Sequence, residues 1–176
     1  MKEVSLTTPV SMNQIADLKI GDFILVSGYI YTARDAVLPK LKLLFEQNKL
    51  EQYGIDLLGS VMFHTAVSPA GIGPTSSNKY DIESSIPVLS QAGVKIHIGK
   101  GALKKSTIES LNQYKSVYAI TPPISALLSS KIRSTQIIAF PEQGMEALHL
   151  LKVEDFPAIV YAIHGHSINS LSDCIK

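Results

Sequence analysis

Short apolar runs typical of β-strands alternate with helical patterns along this chain, and this alternation constrains the fold more than any other feature. Residues 23–27 and 61–66 are such runs, and a helical spacing of leucines follows the first of them. Strands that alternate with helices favour an α/β domain with a substantially parallel sheet. A length of 176 residues suits one domain, which we expect to span residues 1–176.

The apolar and polar spacing predicts the elements in chain order. The predicted strands span residues 23–27, 61–66, 94–98, 117–120, 135–140 and 157–163. The predicted helices lie near residues 11–18, 34–52, 82–91, 106–114, 123–132 and 143–151. Ser11 and Ser106 each begin a capping-box pattern, and Pro39 predicts that its helix starts or kinks close to it.

Composition narrows the classes of partner and cofactor. The formal net charge is +1, so no long-range field attracts nucleic acid or an anionic membrane. The N-terminal residues contain no apolar signal-peptide core, and no apolar run reaches the roughly 18 residues of a membrane span, so we expect a cytoplasmic protein. Cys174 is the single cysteine, so the chain cannot supply a cysteine zinc site or iron–sulfur cluster, and no metal site is predicted.

Three polar clusters each follow a predicted strand. Ligands of open α/β sheets bind beyond the carboxyl ends of strands, so parallel neighbours would bring the clusters into one crevice. The cationic and hydroxyl side chains suit a small anion, since arginine offers a bidentate fork to a carboxylate and glycines admit close backbone approach. The clusters are Thr32, Arg34 and Asp35; Gly71, Gly73, Thr75, Ser76, Ser77 and Lys79; and Gly99, Lys100 and Gly101.

Each cluster also has an ordinary structural interpretation. An arginine at a strand–helix connection is commonly solvated or ion-paired, and Lys100 between two glycines is compatible with simple exposure. Thr75 could cap the following segment. His164 and His166 lack a further ligand and are weak evidence for a metal, while His97 within a strand is predicted to be a satisfied structural histidine.

Four segments in order resemble the β-subunit of class I fumarate hydratase and L-tartrate dehydratase, the unit that also forms the C-terminal domain of the single-chain enzymes. They are SGYIYTARDA (27–36), GPTSSNKYD (73–81), IGKG (98–101) and VEDFPAIV (153–160). The resemblance extends over about residues 10–163. It implies a three-layer swivelling β/β/α domain with a largely parallel or mixed sheet.

The resemblance implies a hydro-lyase that reversibly hydrates a dicarboxylate, with fumarate to malate as the expected reaction. It also implies a cysteine-bearing α-subunit that holds a [4Fe–4S] cluster, one iron of which acts as a Lewis acid. The chain would then be active only with that partner, in an α2β2-type hetero-oligomer, and would bind no cluster alone.

The resemblance also implies roles for individual residues. Arg34 and Lys100 would bind substrate carboxylates, and the backbone at Gly73 would approach the substrate. Thr75 would act at the reacting carbon. Lys79 stands where the family usually has arginine and would assist Thr75.

Departures from the family pattern keep alternatives open. Lysine at position 79 keeps the charge but loses the arginine fork, and residues 122–125 replace a Gly-Gly-Ala-Ala stretch. The substrate could be fumarate, tartrate or a methylated fumarate. A non-catalytic or diverged homologue that binds a partner or a small anion is the alternative function, and a stand-alone anion-binding module is a second rival. The sequence assigns no role to Cys174.

Overall fold

The computed structural model describes residues 2–72 and 79–169, with only the backbone at Lys79. The strands in these ranges are β1 (Glu3–Thr7), β2 (Phe23–Thr32), β3 (Val61–Phe63), β4 (Val67–Ser68), β5 (Gly71–Ile72), β6 (Ile96–Gly99), β7 (Val117–Ile120), β8 (Ile132–Ala139), β9 (Leu148–Ile163) and β10 (His166–Ser167). The α-helices are α1 (Met12–Ala16), α2 (Leu38–Glu46), α3 (Lys79–Gln91), α4 (Lys105–Gln113) and α5 (Ser125–Ser130). Two 3-10 helices span Leu50–Tyr53 and Pro141–Glu146.

A closed ring of five strands forms the centre of the fold. Strands β2, β3, β6 and β7 are parallel neighbours in that order. Strand β9 runs antiparallel to both β7 and β2 and closes the ring. Strand β1 adds to β2 in parallel, whereas β8 and β10 add to β9 antiparallel. The predicted α/β class with a mixed sheet is therefore confirmed, and the sheet curves into a barrel.

Two apolar clusters lie on opposite sides of the barrel wall, because successive side chains of a strand point to opposite faces. Val61, Phe63 and Ile98 belong to the cluster that fills the interior, where Phe63 meets Phe156 edge to face at 5.4 Å between ring centroids. Met62 belongs to the outer cluster, which packs the wall against α2. The alternation of Val61, Met62 and Phe63 between clusters fixes the register of this short strand.

The carboxyl edge of the parallel strands is partly covered by a hairpin and a helix. Strands β4 and β5 pair antiparallel, and Val67 and Ile72 join the interior apolar cluster. Leu128 of α5 joins the same cluster, and the Ser129 hydroxyl oxygen accepts a hydrogen bond from the Ile72 N–H at 3.3 Å. The segment after β5 therefore starts from a fixed point at this edge.

The first predicted strand was expected to end at residue 27, which is wrong, because this strand is β2 and continues to Thr32. Gly28 adopts a φ of 109°, and the register with β9 shifts between Val26 and Gly28. A side chain at Gly28 would clash with Thr8, whose Oγ1 accepts the Tyr29 N–H at 2.6 Å. This glycine marks a bulge within a strand, which the sequence pattern alone does not distinguish from a turn.

The helix expected over residues 143–151 is also wrong. A 3-10 helix occupies Pro141–Glu146, and Gly144 with φ 57° and ψ −121° interrupts helical geometry. From Leu148 the chain forms the long strand β9, which pairs with β2, β7, β8 and β10. Pro157 is tolerated because it lies between the stretch paired with β8 and the stretch paired with β7.

The two predicted capping boxes have different outcomes. Ser11 forms its box, since Ser11 and Gln14 exchange side-chain-to-backbone hydrogen bonds at 3.4 and 2.8 Å. Ser106 does not cap a helix, because α4 begins one residue earlier and its N-cap is Lys104. The expectation at Pro39 is confirmed, since this proline lies in the first turn of α2.

Two expectations from the sequence, the fold arrangement and the domain extent, are not tested by the described residues and stay predictions. The ring of strands does not by itself display a three-layer swivelling β/β/α arrangement, and the extent of the single domain at residues 1–176 also stays a prediction. Within the described ranges, no helix combines the length and apolar character required to cross a membrane.

Candidate anion site at the carboxyl edge of the barrel

The strand topology brings Arg34 and Lys100 to the same edge of the barrel. Arg34 lies two residues after the end of β2, and Lys100 directly follows β6. Strand β3 lies between these two strands and is parallel to both. Helices α2 and α4 also begin just beyond the same edge. The first and third clusters therefore follow strands that are parallel but separated by β3, and the meeting of the two clusters in one crevice stays a prediction.

Arg34 is held in a connection that is mostly buried. Its side chain is 13% exposed, and its Nη1 lies 3.7 Å from Oε1 of Glu146. The Arg34 carbonyl accepts hydrogen bonds from Val37 and Leu38 at 2.9 and 2.8 Å, which turns the chain into α2. Arg34 is therefore ion-paired, and its side chain is largely shielded from solvent, unlike that of a solvated surface arginine.

Lys100 projects from a turn that Tyr118 holds in place. The Tyr118 hydroxyl donates a hydrogen bond to the Lys100 carbonyl at 3.0 Å. Burial raises the pKa of Tyr118, so this hydroxyl stays protonated as a donor. A Cβ at Gly99 would meet the Tyr118 hydroxyl at 2.5 Å, which explains the glycine before Lys100. Lys100 itself is exposed, while its backbone carbonyl is held by Tyr118 of β7.

Glu83 braces the segment between Lys100 and α4. This carboxylate in α3 is buried, and its Oε1 accepts hydrogen bonds from the Lys104 N–H at 2.5 Å and the Thr107 hydroxyl at 2.8 Å. A carboxylate at a helix N-terminus is favoured by the helix dipole. Glu83 therefore supplies, from another helix, the stabilisation that Ser106 was expected to give.

The second predicted cluster falls largely outside the described residues. Gly73, Thr75, Ser76 and Ser77 lie in the range 73–78, and for Lys79 only the start of α3 is described. Their predicted roles therefore stay predictions. The flanking points are fixed, because Ile72 ends β5 at this edge and α3 begins at Lys79.

A buried pair of histidines, His64 and His97, lies next to the connection that contains Arg34. The sequence did not predict that these two rings would contact each other. His64 directly follows β3, and its backbone N–H donates to the Ile98 carbonyl at 2.9 Å. His64 Nε2 lies 3.3 Å from His97 Nδ1, and His97 Nε2 lies 2.9 Å from the Ser90 hydroxyl. The interpretation of His97 as a satisfied structural histidine is confirmed.

Burial controls the charge of this pair. It lowers the pKa of His64 from 6.5 to about 4, an effect that the nearby Ala33 carbonyl partly opposes. Burial, and then His64 itself, also hold the pKa of His97 well below its ordinary value. Both rings are therefore neutral at neutral pH, and they add no positive charge to the anion site.

The described residues do not fit a resident metal cluster. Across the ranges 2–72 and 79–169, no three His, Cys, Asp or Glu side chains come together as a metal site. The whole sequence contains one cysteine, whereas a [4Fe–4S] cluster is held on several cysteine thiolates. No step that uses a cluster is therefore derived from this chain.

Sequence reasoning missed Glu146, Tyr118 and Glu83, all of which hold the cationic turns. Each comes from an element distant in sequence from the residue that it contacts. Glu146 is the last residue of the interrupted 3-10 helix and was expected within a regular helix. Only the pairing of β2 with β9 brings it near Arg34, so local periodicity carried no signal for this contact.

Comparison with known proteins gives consistent relatives over nearly the whole chain. L(+)-tartrate dehydratase subunit beta of Escherichia coli (strain K12) is 27% identical over 184 residues, which cover 98% of this chain and 88% of that protein. A protein of Methanocaldococcus jannaschii named "Putative L(+)-tartrate dehydratase subunit beta" is 30% identical over 174 residues, covering 90% of this chain and 87% of that protein.

A third relative shows the same unit within a longer chain. The "Putative fumarate hydratase class I" of Geobacillus stearothermophilus is 27% identical over 179 residues, which cover 94% of this chain but 33% of that protein. The family model described as "Fumarase C-terminus" matches residues 1–170. This match over almost the full length shows that the chain belongs to the Fumarase C-terminus family, to which the resemblance in its sequence pointed.

Proposed function

We propose that this chain is the β-subunit of an iron–sulfur-dependent hydro-lyase that reversibly hydrates a dicarboxylate, with fumarate to malate as its reaction. The observation that supports the proposal most is the presence of Arg34 and Lys100 at one edge of the barrel, after two parallel strands that flank β3. Two cations at one edge suit a substrate with two carboxylates. Family membership over residues 1–170 supports the reaction class.

Arg34 and Lys100 would divide the binding of the dicarboxylate. The planar guanidinium of Arg34 suits a carboxylate held in one orientation, because its N–H donors match the spacing of the two oxygens. The ammonium of Lys100 acts as a compact charge on an exposed turn and accepts a carboxylate from several directions. Gly73 would bring backbone N–H groups near the substrate.

Thr75 would perform the proton transfer at the reacting carbon. In the dehydration direction, a proton leaves the carbon beside a carboxylate while the hydroxyl leaves the neighbouring carbon. A neutral hydroxyl is a poor base, so Thr75 would need its alkoxide form stabilised by nearby cations and N–H groups. Lys79 and Lys100 would supply that charge in this proposal.

The cluster belongs to the partner in this proposal. A cysteine-bearing α-subunit would hold the [4Fe–4S] cluster, which supplies a Lewis acid for the substrate hydroxyl, and an α2β2-type assembly would combine both chains. The names of the relatives as beta subunits support such a division. The proposal also retains a cytoplasmic location and the three-layer swivelling β/β/α domain class.

L-Tartrate is the second candidate substrate. The relatives of similar length are named as tartrate dehydratase beta subunits, whereas the fumarate hydratase is about three times as long as the region aligned to this chain. An additional hydroxyl group on the substrate would require a hydrogen-bond partner at the site. Residues 73–79 include the hydroxyl side chains that would provide it.

The decisive experiment is co-expression with the candidate α-subunit, anaerobic purification and a hydration or dehydration assay. Fumarate, L-tartrate and a methylated fumarate should be tested in parallel. We expect turnover of fumarate by the pair, no turnover by this chain alone, and loss of activity in air. Turnover by the isolated, metal-free chain would contradict the two-subunit proposal.

A folded pair that turns over none of these dicarboxylates would instead favour the non-catalytic homologue. Lys79 and residues 122–125 motivate that alternative, because they depart from the family pattern. Failure to bind any cysteine-bearing subunit would favour the stand-alone anion-binding module.

A further inference from the structure

Glu146 is brought to the Arg34 turn by the pairing of two strands. Thr32 at the end of β2 is opposite His149 near the start of β9. Because these strands are antiparallel, residues after Thr32 face residues before His149. The position of Glu146, three residues before His149, therefore brings it to the turn that contains Arg34 and Ala36.

The Glu146 carboxylate contacts both the side chain and the backbone of this turn. Its Oε1 lies 3.7 Å from Arg34 Nη1, and its Oε2 accepts a hydrogen bond from the Ala36 N–H at 3.2 Å. The side chains of Arg34 and Glu146 are 13% and 30% exposed, so solvent screens this pair less than a surface ion pair. One carboxylate thus restrains the guanidinium and the peptide chain that supports it.

The 3-10 helix that ends at Glu146 is itself anchored to α2 and its surroundings. Lys40 Nζ lies 3.0 Å from Oε1 of Glu142 and 5.0 Å from the centre of the Phe140 ring. Phe140 also stacks on Tyr53, with 5.9 Å between ring centroids. Glu146 therefore extends from a braced segment, which lets it restrain Arg34 instead of moving with it.

We propose that Glu146 is a positioning residue, which orients the Arg34 guanidinium for an anionic carboxylate and fixes the turn behind it. This inference rests on the proposed function for the identity of the anion, but its geometry stands on contacts within this chain. A carboxylate that engages one corner of a guanidinium limits rotation of the fork. A preoriented arginine loses less conformational entropy on binding an anion than a mobile one.

The test compares Glu146→Ala, Glu146→Gln and the control Glu154→Gln in the anaerobic pair. Glu146→Ala should lower kcat/KM about tenfold, as expected for one charge-assisted hydrogen bond, and mostly through a higher KM. Glu146→Gln keeps an oxygen for the Ala36 N–H but removes the charge, so its kcat/KM should lie between those of wild type and Glu146→Ala. Glu154→Gln removes an exposed ion pair with Arg133, outside the segment that supports Glu146, and should leave kcat/KM unchanged.

A double-mutant cycle separates positioning from a general structural role. Once Arg34 is replaced by alanine, Glu146→Ala should cause little further loss, because it acts through Arg34. Equal losses in both backgrounds would overturn the proposal. An unchanged kcat/KM in Glu146→Ala alone would also overturn it.

Amide hydrogen exchange of the full chain gives a readout that needs no activity. Glu146→Ala should accelerate exchange of the Ala36 amide, and Glu146→Gln should restore part of its protection. If the wild-type pair turns over no dicarboxylate, the proposed function fails and this exchange measurement alone decides the positioning role. Unchanged Ala36 exchange in both variants would then refute it.

Discussion

His64 and His97 stack in parallel inside the protein, with 5.4 Å between their ring centroids and an interplanar angle of 2°. Their exposed fractions are 2% and 0%. The contact between His64 Nε2 and His97 Nδ1 requires one nitrogen to donate and the other to accept. A proton added to both rings would place two buried charges side by side, so the pair is stable only when at most one ring is charged.

The free energy of unfolding should therefore decrease as the pH falls through the range below about 6.5. The unfolded chain takes up protons near the ordinary histidine pKa, whereas folded His64 does so only near pH 4. Neutral His64 contributes on the order of 3 kcal/mol to the free energy of unfolding. This contribution is complete above the histidine pKa of the unfolded chain, 6.5, and is lost as the pH falls towards the pKa of folded His64, about 4. Urea unfolding between about pH 7 and about pH 5 measures this slope.

A variant and a spectroscopic measurement make the assignment specific. His64→Asn should reduce the pH slope of the free energy of unfolding. His149 has a pKa lowered by burial and contributes in the same direction, while the carboxyl of Asp22 acts only at lower pH. In wild-type NMR spectra, the His64 and His97 ring protons should not titrate over this pH range, and ordinary titration of both would refute the account.

Replacing the two cations tests the carboxylate-binding roles. Arg34→Ala and Lys100→Ala should each reduce kcat/KM by about tenfold to more than a hundredfold, the value of a charge-assisted hydrogen bond. Arg34→Lys should recover only part of the loss, because lysine lacks the fork. Circular dichroism and melting temperature should confirm that the variants stay folded. Near-normal kinetics in both alanine variants would return these side chains to the solvated-surface interpretation.

Thr75→Ala distinguishes catalysis from capping. A catalytic Thr75 predicts a fall in kcat of about 10²- to 10⁴-fold with little change in melting temperature. A capping Thr75 predicts a loss of about 1 kcal/mol in stability with turnover largely intact. Ser106→Ala removes a hydroxyl that does not cap its helix and serves as the matched control. A stable Thr75→Ala variant with wild-type turnover would exclude the catalytic role.

Tyr118→Phe tests the support of the Lys100 turn. Loss of the hydroxyl leaves the Lys100 carbonyl without this donor and should lower the free energy of unfolding by about 1 kcal/mol. Gly99→Ala should be at least as destabilising, because its new Cβ would lie too close to the same hydroxyl. Tyr161→Phe, at the ring that meets Tyr118 edge to face at 6.0 Å, is the control. Equal stability of the Tyr118 and Tyr161 variants would show that the hydrogen bond contributes little.

The local sequence was sufficient to predict a helix or strand wherever the stabilising interactions lie within that one element. The strand Val117–Ile120 has the predicted bounds, and Ser11 forms the predicted cap, because a short apolar run and a hydroxyl three residues before a glutamine act over one turn or strand. The sequence also located Arg34 and Lys100 immediately beyond strands. Their identity as candidate ligands for an anion followed from their side-chain chemistry and the family resemblance.

Tertiary structure decided everything that depended on a partner distant in sequence. Residues 148–151 are helical by local pattern but extended in β9, since pairing with β2 and β8 outweighs a weak local preference. The same pairing brings Glu146 to Arg34, and the ring closure by β9 turns a predicted open sheet into a barrel. Such contacts leave no local periodicity, because their energy arises only when separate segments are brought together, as with Ala36 and Glu146, which are 110 residues apart.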